Sequence, residues 1–280
     1  MNKKERLIRH MNRSVRTYDE YADVHRKLAH RLLLSVKEKV ACAGRILEIG
    51  CGTGYLTQLL VDHFPQATII AIDFAEQMIQ MAKEKIQPPS RVRLLVENAE
   101  KLDIQQFGTF DLVITNSTLQ WLDYPQKAIA DWYDLLKPGG WLFATAYGPD
   151  MLYELRTILS EVELDLGLEP THPFYLLYSA DHWKEILRQK DMVQILTSES
   201  WERKLFANGD QLLRTLKAVG DNANGINQNI GITRQLCFEV ISRYNQLYWY
   251  RTRDCVYATY HSIQIQGQKC DRSLYIQSSI

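Results

Sequence analysis

This sequence has no excess of either charge: 33 Lys and Arg balance 33 Asp and Glu over 280 residues. Binding to nucleic acid through overall basicity is thereby excluded, and no nucleic-acid partner is expected. No run of about 18 apolar residues occurs, so nothing reads as a bilayer span and no membrane partner is expected. The basic opening MNKKERLIRHMNRSVR lacks the roughly 7 to 15 apolar residues of a secretory signal. Cysteines are few and odd in number: Cys42, Cys51, Cys237, Cys255 and Cys270, with no CxxC pair and no histidine at metal spacing. They read as free thiols in a reducing compartment, which predicts a soluble, cytoplasmic protein without a metal site. Internal repeats and low-complexity segments are absent as well.

What the chain does have is material for a large core, with 46% hydrophobic and 24% charged residues. From 45 to 147, β-branched runs alternate with amphipathic segments, the pattern of a parallel sheet covered by helices on both faces. The runs RILEIG, TIIAID, VRLLVEN, DLVITN and GWLFATAY read as strands, with helices over about 54–63, 75–86 and 125–136. Pro138 and Gly139 in LLKPGGW are expected to stop the last helix and turn the chain into the fifth strand. A helical stretch over about 4–40 precedes this region. After Tyr147 the rhythm is broken by a helical segment near 150–165 and the loop LGLEPTHPF, then resumes with SADHWKEILRQ and MVQILTSESW. A second interruption around NGDQLLRTLKAVGDNANGINQNIG leads to a helix near 233–248 and a last strand, CVYATYHSIQIQG. Both insertions are expected at the carboxyl edge of the sheet, where open α/β sheets bind ligands.

At that edge the sequence concentrates polar chemistry. The first strand ends at Glu48, and Gly50, Gly52 and Gly54 form the turn into the next helix, in GxGxG spacing rather than the GxGxxG of dinucleotide enzymes. Glycines there let a ligand approach the main chain at a helix amino terminus. A carboxylate beside that turn suits a cationic ligand better than a pyrophosphate, which disfavours a nicotinamide dehydrogenase. Asp73 closes the second strand, where a carboxylate can accept from both hydroxyls of a ribose. Asn98 and Glu100 follow the third strand, and Asn116, Gln120 and Trp121 the fourth; Asn98 can hydrogen-bond an adenine edge. Cys51, inside the turn, reads as a small space-filler.

The ordered set LEIGCGTGYLT, IIAIDFAEQMI, ENAE, FDLVITNSTLQWL and LKPGGWLFATAYG resembles the class I S-adenosylmethionine-dependent methyltransferases over about a hundred residues. The resemblance implies a Rossmann-like α/β fold with a seven-stranded, mostly parallel sheet and an antiparallel last strand. It implies S-adenosyl-L-methionine as cofactor: Gly50, Gly52 and Gly54 under its methionine part, Asp73 on the ribose, and Phe74 or Met78 against the adenine. Asn98 and Ala99 are implied at the adenine edge and Asn116 near the sulfonium. The organisation expected is a helical lid over 1–40 and a methyltransferase domain over 41–280, with helical insertions at about 148–178 and 205–250.

The flanks NRSVRTYDEYADVHRKLAHRLL, LLRTLKAVGDNANG and YATYHSIQI, with LQWL after the fourth strand, resemble the malonyl-acyl carrier protein O-methyltransferases of biotin synthesis. That resemblance implies an acidic carrier protein as partner, bearing a malonyl thioester on a phosphopantetheine arm. The chain departs from the usual GATN or GATH at GDNAN, where Asp221 replaces a small residue. By family position Tyr18 is expected to orient the substrate carboxylate or cover the methyl group, and Arg214, with Lys217, to clamp the carboxylate. Arg214 and Lys217 also fit the solvated face of an ordinary helix, and Tyr18 a half-buried lid tyrosine. Tyr147, Tyr260 and His261 are weaker candidates that fit core packing equally well. Lys3, Lys4, Arg6, Arg9, Arg13 and Arg16 stand against the single acid Glu5 in residues 1–16, either as a basic tail or as a docked helix with a basic outer face. Other acceptors remain open: a free polycarboxylate such as aconitate, a quinone precursor, or no acceptor at all in a protein that only senses the cofactor.

Overall fold

The computed structural model describes residues 3–168, 177–220 and 230–271. The expected loop at 166–174 lies mostly outside them, as does Asp221 entirely. The elements run α1 (Lys3–Tyr21), α2 (Asp23–Lys39), β1 (Arg45–Ile49), α3 (Tyr55–His63), β2 (Thr68–Asp73), α4 (Glu76–Lys85), β3 (Val92–Val96), α5 (Ile104–Phe107), β4 (Phe110–Thr115), α6 (Pro125–Asp134) and β5 (Leu136–Tyr147). They continue with α7 (Tyr153–Asp165), α8 (Ala180–Arg188), β6 (Met192–Phe206), α9 (Gly209–Ala218), α10 (Ile230–Leu247), β7 (Trp249–Tyr250) and β8 (Cys255–Lys269). The strands follow the path β3-β2-β1-β4-β5-β8-β6, with the short β7 pairing antiparallel to β8 as an eighth member. β1 to β5 pair in parallel and the last strands run antiparallel. The sheet is thus the Rossmann-like one expected.

The chain divides into two compact units. The larger comprises Ala22–Ala146, Leu176–Glu199 and Ile263–Ile280; the smaller comprises Met1–Tyr21, Tyr147–Tyr175 and Ser200–Ser262. In the larger unit the side-chain alternation of β1 separates two cores. Ile46 joins Leu32, Leu56, Ile79 and Phe143 on one side of the sheet. Leu47 and Ile49 join Ile129, Trp132, Trp183 and Leu187 on the other. α2, α3 and α4 therefore cover one face and α6 and α8 the opposite one. α8 begins at a side-chain cap, the Ser179 hydroxyl accepting from His182 N–H at 3.2 Å.

In the smaller unit α1 packs on α9, and α10 on both α7 and α9. The Thr17 hydroxyl donates to the Ala218 carbonyl at 3.0 Å, and Gly220, at φ +77°, lets the chain pass beneath Met11 and Ser14 of α1. Arg243 of α10 pairs with Asp165 of α7 at 2.7 Å.

Three local features depart from the sequence reading. The amino-terminal stretch is two helices, broken at Ala22, and the break falls at the boundary between the two units. Lys137–Gly140 does not form a turn before β5 but lies inside it, as an irregularity where the partner of Phe110 is Leu136 and that of Leu112 is Trp141. β6 continues past Trp201 to Phe206, because Arg203 and Leu205 keep the extended alternation going.

Candidate functional site

Parallel register brings the candidate residues of the larger unit to one edge. Ile49 pairs with both Ile72 and Thr115, and Asp73 with Val96, so Gly50, Asp73, Asn98 and Asn116 leave adjacent strands at the same level. The turn after β1 is tied back when Gly50 and Cys51 N–H donate to the Ile72 carbonyl at 2.8 and 2.9 Å.

Its three glycines have different reasons to be there. All have positive φ: +73°, +54° and +88° for Gly50, Gly52 and Gly54. A Cβ on Gly50 would overlap the Thr118 hydroxyl, and one on Gly54 would press on Ile86 and Ala82 at 3.0 and 3.2 Å. Those two glycines serve packing. A Cβ on Gly52 meets nothing within 4 Å, so this is the point at which the turn offers bare backbone to a ligand.

Two buried carboxylates flank that backbone. Asp73 Oδ2 accepts from Gly52 N–H at 2.9 Å and Oδ1 from Ala75 N–H at 2.8 Å. Burial pushes its pKa up to about 6, against the opposing pull of the Ala75, Gly52 and Phe74 amides. Glu48 is 1% exposed, and its Oε2 has no hydrogen-bond partner among the described residues. Burial is the main reason its pKa rises to about 8; the Thr57 hydroxyl opposes the shift and the nearby Asp73 charge adds to it. A buried, unpartnered carboxyl oxygen beside exposed backbone calls for a ligand that carries positive charge or hydroxyl donors. S-adenosylmethionine, the cofactor implied by the resemblance, carries both, so the residues present fit it. Burial likewise raises the Cys51 thiol well above its usual range, which keeps it protonated and inert.

The remaining candidates form the rim. Met78 is buried and Phe74 half-buried. The Asn98 side-chain oxygen accepts from Glu100 N–H at 3.1 Å, and the Ala99 carbonyl from Trp132 Nε1 at 2.9 Å, which fixes the turn after β3. Glu100 accepts from Asp123 and Tyr124 N–H at 2.9 and 2.7 Å, linking that turn to the one before α6. Asn116 is engaged at both ends of its amide: Nδ2 donates to the His25 carbonyl at 3.0 Å, and Oδ1 accepts from the Thr145 hydroxyl at 2.7 Å. It therefore fastens the start of α2 to the end of β4. Thr118, which sets the clearance for Gly50, and the buried, unpartnered Ser117 Oγ and Gln120 Oε1 complete this region. Thr118 and Thr145 were invisible in the sequence, since their importance comes from pairing across strands.

The substrate candidates belong to the smaller unit. Tyr18 is half-buried on α1. Arg214 is 78% exposed on α9 and pairs with Asp210, one turn earlier, at 2.9 Å. Lys217 lies close enough to α1 that, with Arg13 and Arg9, it holds the His10 pKa below its usual value, a shift led by burial. Arg9, Arg13, Arg16 and Lys217 are exposed, so α1 is a docked helix with a basic outer face. Tyr147 is buried at the end of β5, and Tyr260 and His261 are buried on β8. All five cysteines are free, no helix among the described residues is long and apolar enough to cross a membrane, and no metal-binding cluster occurs among the described residues.

The two carboxylates predict a measurable pH dependence. Each binds a proton more tightly folded than unfolded, so the stability each contributes is complete below the unfolded value of about 4. It is lost as pH rises through about 6 for Asp73 and about 8 for Glu48. The melting temperature of the ligand-free protein should fall between about pH 4 and 8 and level off above it, and Glu48→Gln should flatten the upper part of that fall, between about pH 6 and 8. Affinity for a cationic ligand should rise over the same interval, as calorimetry at several pH values would measure.

Known proteins resemble this chain in sequence and in fold. Residues 47–144 match the family described as "Methyltransferase domain". The malonyl-acyl carrier protein O-methyltransferase of Paenibacillus sp. (strain JDR-2) is 31% identical, over 94% of this chain and 98% of that protein. That of Halalkalibacterium halodurans is 32% identical, over 95% and 98% respectively. Among solved structures, phosphoethanolamine N-methyltransferase 2 of Haemonchus contortus, in complex with phosphomonomethylethanolamine and S-adenosylhomocysteine, shares the fold with a TM-score of 0.52 and 18% identity. It covers 86% of this chain, which covers 53% of it. The YcgJ protein of Bacillus subtilis superimposes with a TM-score of 0.59 at 16% identity, covering 86% of this chain and 98% of its own.

Proposed function

From the premise that this chain belongs to the malonyl-acyl carrier protein O-methyltransferases, a family of S-adenosylmethionine-dependent enzymes, we propose how its residues divide the work of that reaction. The reaction converts the free carboxylate of a malonyl thioester on acyl carrier protein to its methyl ester, the primer for pimeloyl and biotin synthesis. The observation that carries the assignment to this chain is the buried Glu48 Oε2, without a hydrogen-bond partner among the described residues, next to the open Gly52 backbone and the Asp73 carboxylate.

When bound, S-adenosylmethionine supplies an electrophilic methyl on a sulfonium and leaves as the neutral thioether. Asp73 would accept from the ribose hydroxyls and Glu48 would face the positively charged amino-acid portion over Gly50, Gly52 and Gly54. Phe74 and Met78 would flank the adenine, with Asn98 and Ala99 at its edge; Asn116 would hold the floor beneath the sulfonium. The acceptor brings its own nucleophile, because a carboxyl with a pKa of roughly 4 is ionised at neutral pH. No proton has to be removed, so no general base is required. The protein's task is to desolvate that oxygen and hold it in line with the bond that breaks, which supplies up to roughly 7 to 11 kcal/mol in well-oriented reactions.

Arg214 is the proposed carboxylate clamp, exchanging Asp210 for the substrate through its two-pronged fork. Lys217 supports it and Tyr18 orients the acceptor. The basic outer face of α1 suits an acidic carrier protein, whose encounter rate a positive surface raises. Five free cysteines are compatible with a cytoplasmic location.

The deciding measurement is labelled methyl transfer to malonyl carrier protein, malonyl-coenzyme A and aconitate. Preference for the carrier-bound thioester is expected, and turnover of aconitate alone would refute the reading. Arg214→Ala should leave cofactor affinity unchanged and lower kcat/KM for the malonyl acceptor by about tenfold or more. An unchanged kcat/KM would remove Arg214 from the site.

A further inference from the structure

The smaller unit contains a cavity of about 510 Å³, lined by Asp150, Tyr153, Trp201, Arg203 and Thr259, none of which the methyltransferase motifs predicted. Its walls are held by buried hydrogen bonds. The Glu154 carboxylate, fully buried, accepts from Thr259 N–H at 3.0 Å and from the Thr259 hydroxyl at 2.5 Å. Gly148 N–H donates to the His261 carbonyl at 2.9 Å, and Asp150 N–H to His261 Nδ1 at 3.1 Å. A Cβ on Gly148 would collide with the His261 ring, so the turn after β5 is seated on β8.

Three chemistries face the space these residues enclose. Arg203 is exposed, takes part in no ion pair among the described residues, and has its guanidinium 4.5 Å from the centre of the Tyr257 ring. Trp201 stacks one face on His261, with centroids 4.2 Å apart at 20°, and remains 55% exposed. Its Nε1 donates to Asp150 Oδ2 at 2.9 Å, the same oxygen that lies 3.5 Å from His261 Nδ1. Asp150 thus has Oδ2 committed, and Oδ1 is left to accept. The Tyr153 hydroxyl is raised above its ordinary pKa by burial and by Glu154, so it stays a donor.

A pre-positioned guanidinium selects an anionic oxygen group, an open indole face selects an apolar or amide chain, and a carboxylate oxygen accepts from an amide N–H. A ligand with all three is an anion-bearing acyl thioester on an amide-containing arm. We infer that this cavity is a subsite for the acyl substrate, with Arg203 anchoring an anionic oxygen group and Trp201 covering the chain that carries it. The inference rests on the function proposed above and adds residues to it. Two groups share the required chemistry: the malonyl carboxylate and the phosphodiester at the root of the arm.

The test compares malonyl carrier protein with the malonyl thioester of N-acetylcysteamine, which keeps the carboxylate and one amide but has no phosphate. Arg203→Gln is expected to raise KM by about tenfold or more while kcat stays within about twofold. A rise confined to the carrier protein assigns the phosphodiester to Arg203. A rise with both substrates assigns the carboxylate, in place of Arg214. Trp201→Ala, an independent change at an exposed position, is expected to raise KM for both. Unaltered KM values in both variants, with both folded by thermal melting and binding cofactor as wild type does, overturn the inference and leave the proposed function standing. Wild-type protein that methylates neither thioester overturns both.

Discussion

Asp73→Ala will abolish measurable S-adenosylmethionine binding, a loss of about a hundredfold or more in affinity. The carboxylate has two duties, and the substitution removes both. Its oxygens accept from Gly52 and Ala75 N–H at 2.9 and 2.8 Å, so they shape the glycine turn, and in the proposed function they also accept from the ribose. Hydrogen bonds to a charged acceptor contribute roughly 1.5 to 3 kcal/mol each, and two ribose hydroxyls lost together account for a factor of that size. Asp73→Asn separates the duties. The amide keeps one acceptor oxygen but not the charge or the second acceptor, so it should restore part of the turn and little of the affinity. Titration calorimetry with S-adenosylmethionine and S-adenosylhomocysteine measures this directly. Wild-type affinity in Asp73→Ala would show that the ligand lies elsewhere.

Gly50→Val and Gly52→Val, two residues apart, should fail in opposite ways. At Gly50 a side chain would run into Thr118, whose hydroxyl itself reaches the Ile49 carbonyl at 3.3 Å, and the positive φ adds strain on top of the clash. The turn cannot move away, since Gly50 and Cys51 are both tied to the Ile72 carbonyl. The expected result is a destabilisation of several kcal/mol, seen as little soluble protein or a melting temperature lowered by ten degrees or more. At Gly52 the added Cβ has nothing within 4 Å, so the fold should survive with the penalty of a left-handed residue, roughly 1 to 3 kcal/mol. The side chain would fill the space proposed for the cofactor, so binding should be lost from a folded protein. Circular dichroism melts together with calorimetry distinguish the two outcomes. A stable Gly50→Val variant, or a Gly52→Val variant that binds cofactor normally, would contradict this division of roles.

Much of the larger unit was legible in the letters, for a local reason. A parallel strand buried on both faces must be short and apolar, and the turn that follows must reverse direction within a few residues. RILEIGCGTG, TIIAID and DLVITN show both features in place, and the polar residue at each strand end then falls on the same edge. The Lys137–Gly140 segment misled because Pro and Gly mark an irregularity in a strand as readily as they mark a turn. Only pairing to Phe110 and Leu112 distinguishes the two. The amino-terminal helix looked continuous because its apolar spacing continues through Ala22; the break there depends on which unit each half packs into.

The substrate side was less legible. Arg203, Trp201 and Tyr153 belong to no motif, and they share a cavity only because the turn after β5 rests on Thr259 and His261, more than a hundred residues away in sequence. Arg214 and Lys217 stand at family-like positions, yet exposure and the Asp210 pair are properties of the folded helix surface.

The amino-acid order alone was sufficient for the sheet and for the cofactor class, and it singled out the carboxylates proposed to receive that cofactor, because strand periodicity, tight turns and strand-end acids are local consequences of covalent geometry. Which glycine clears a neighbour and which has open space beside it, how far burial lifts Glu48 and Asp73, and which cavity the Arg203 guanidinium and the Trp201 indole line together were decided only by folding. Those properties depend on distances and desolvation between residues far apart along the chain, and such quantities come into existence when the chain packs.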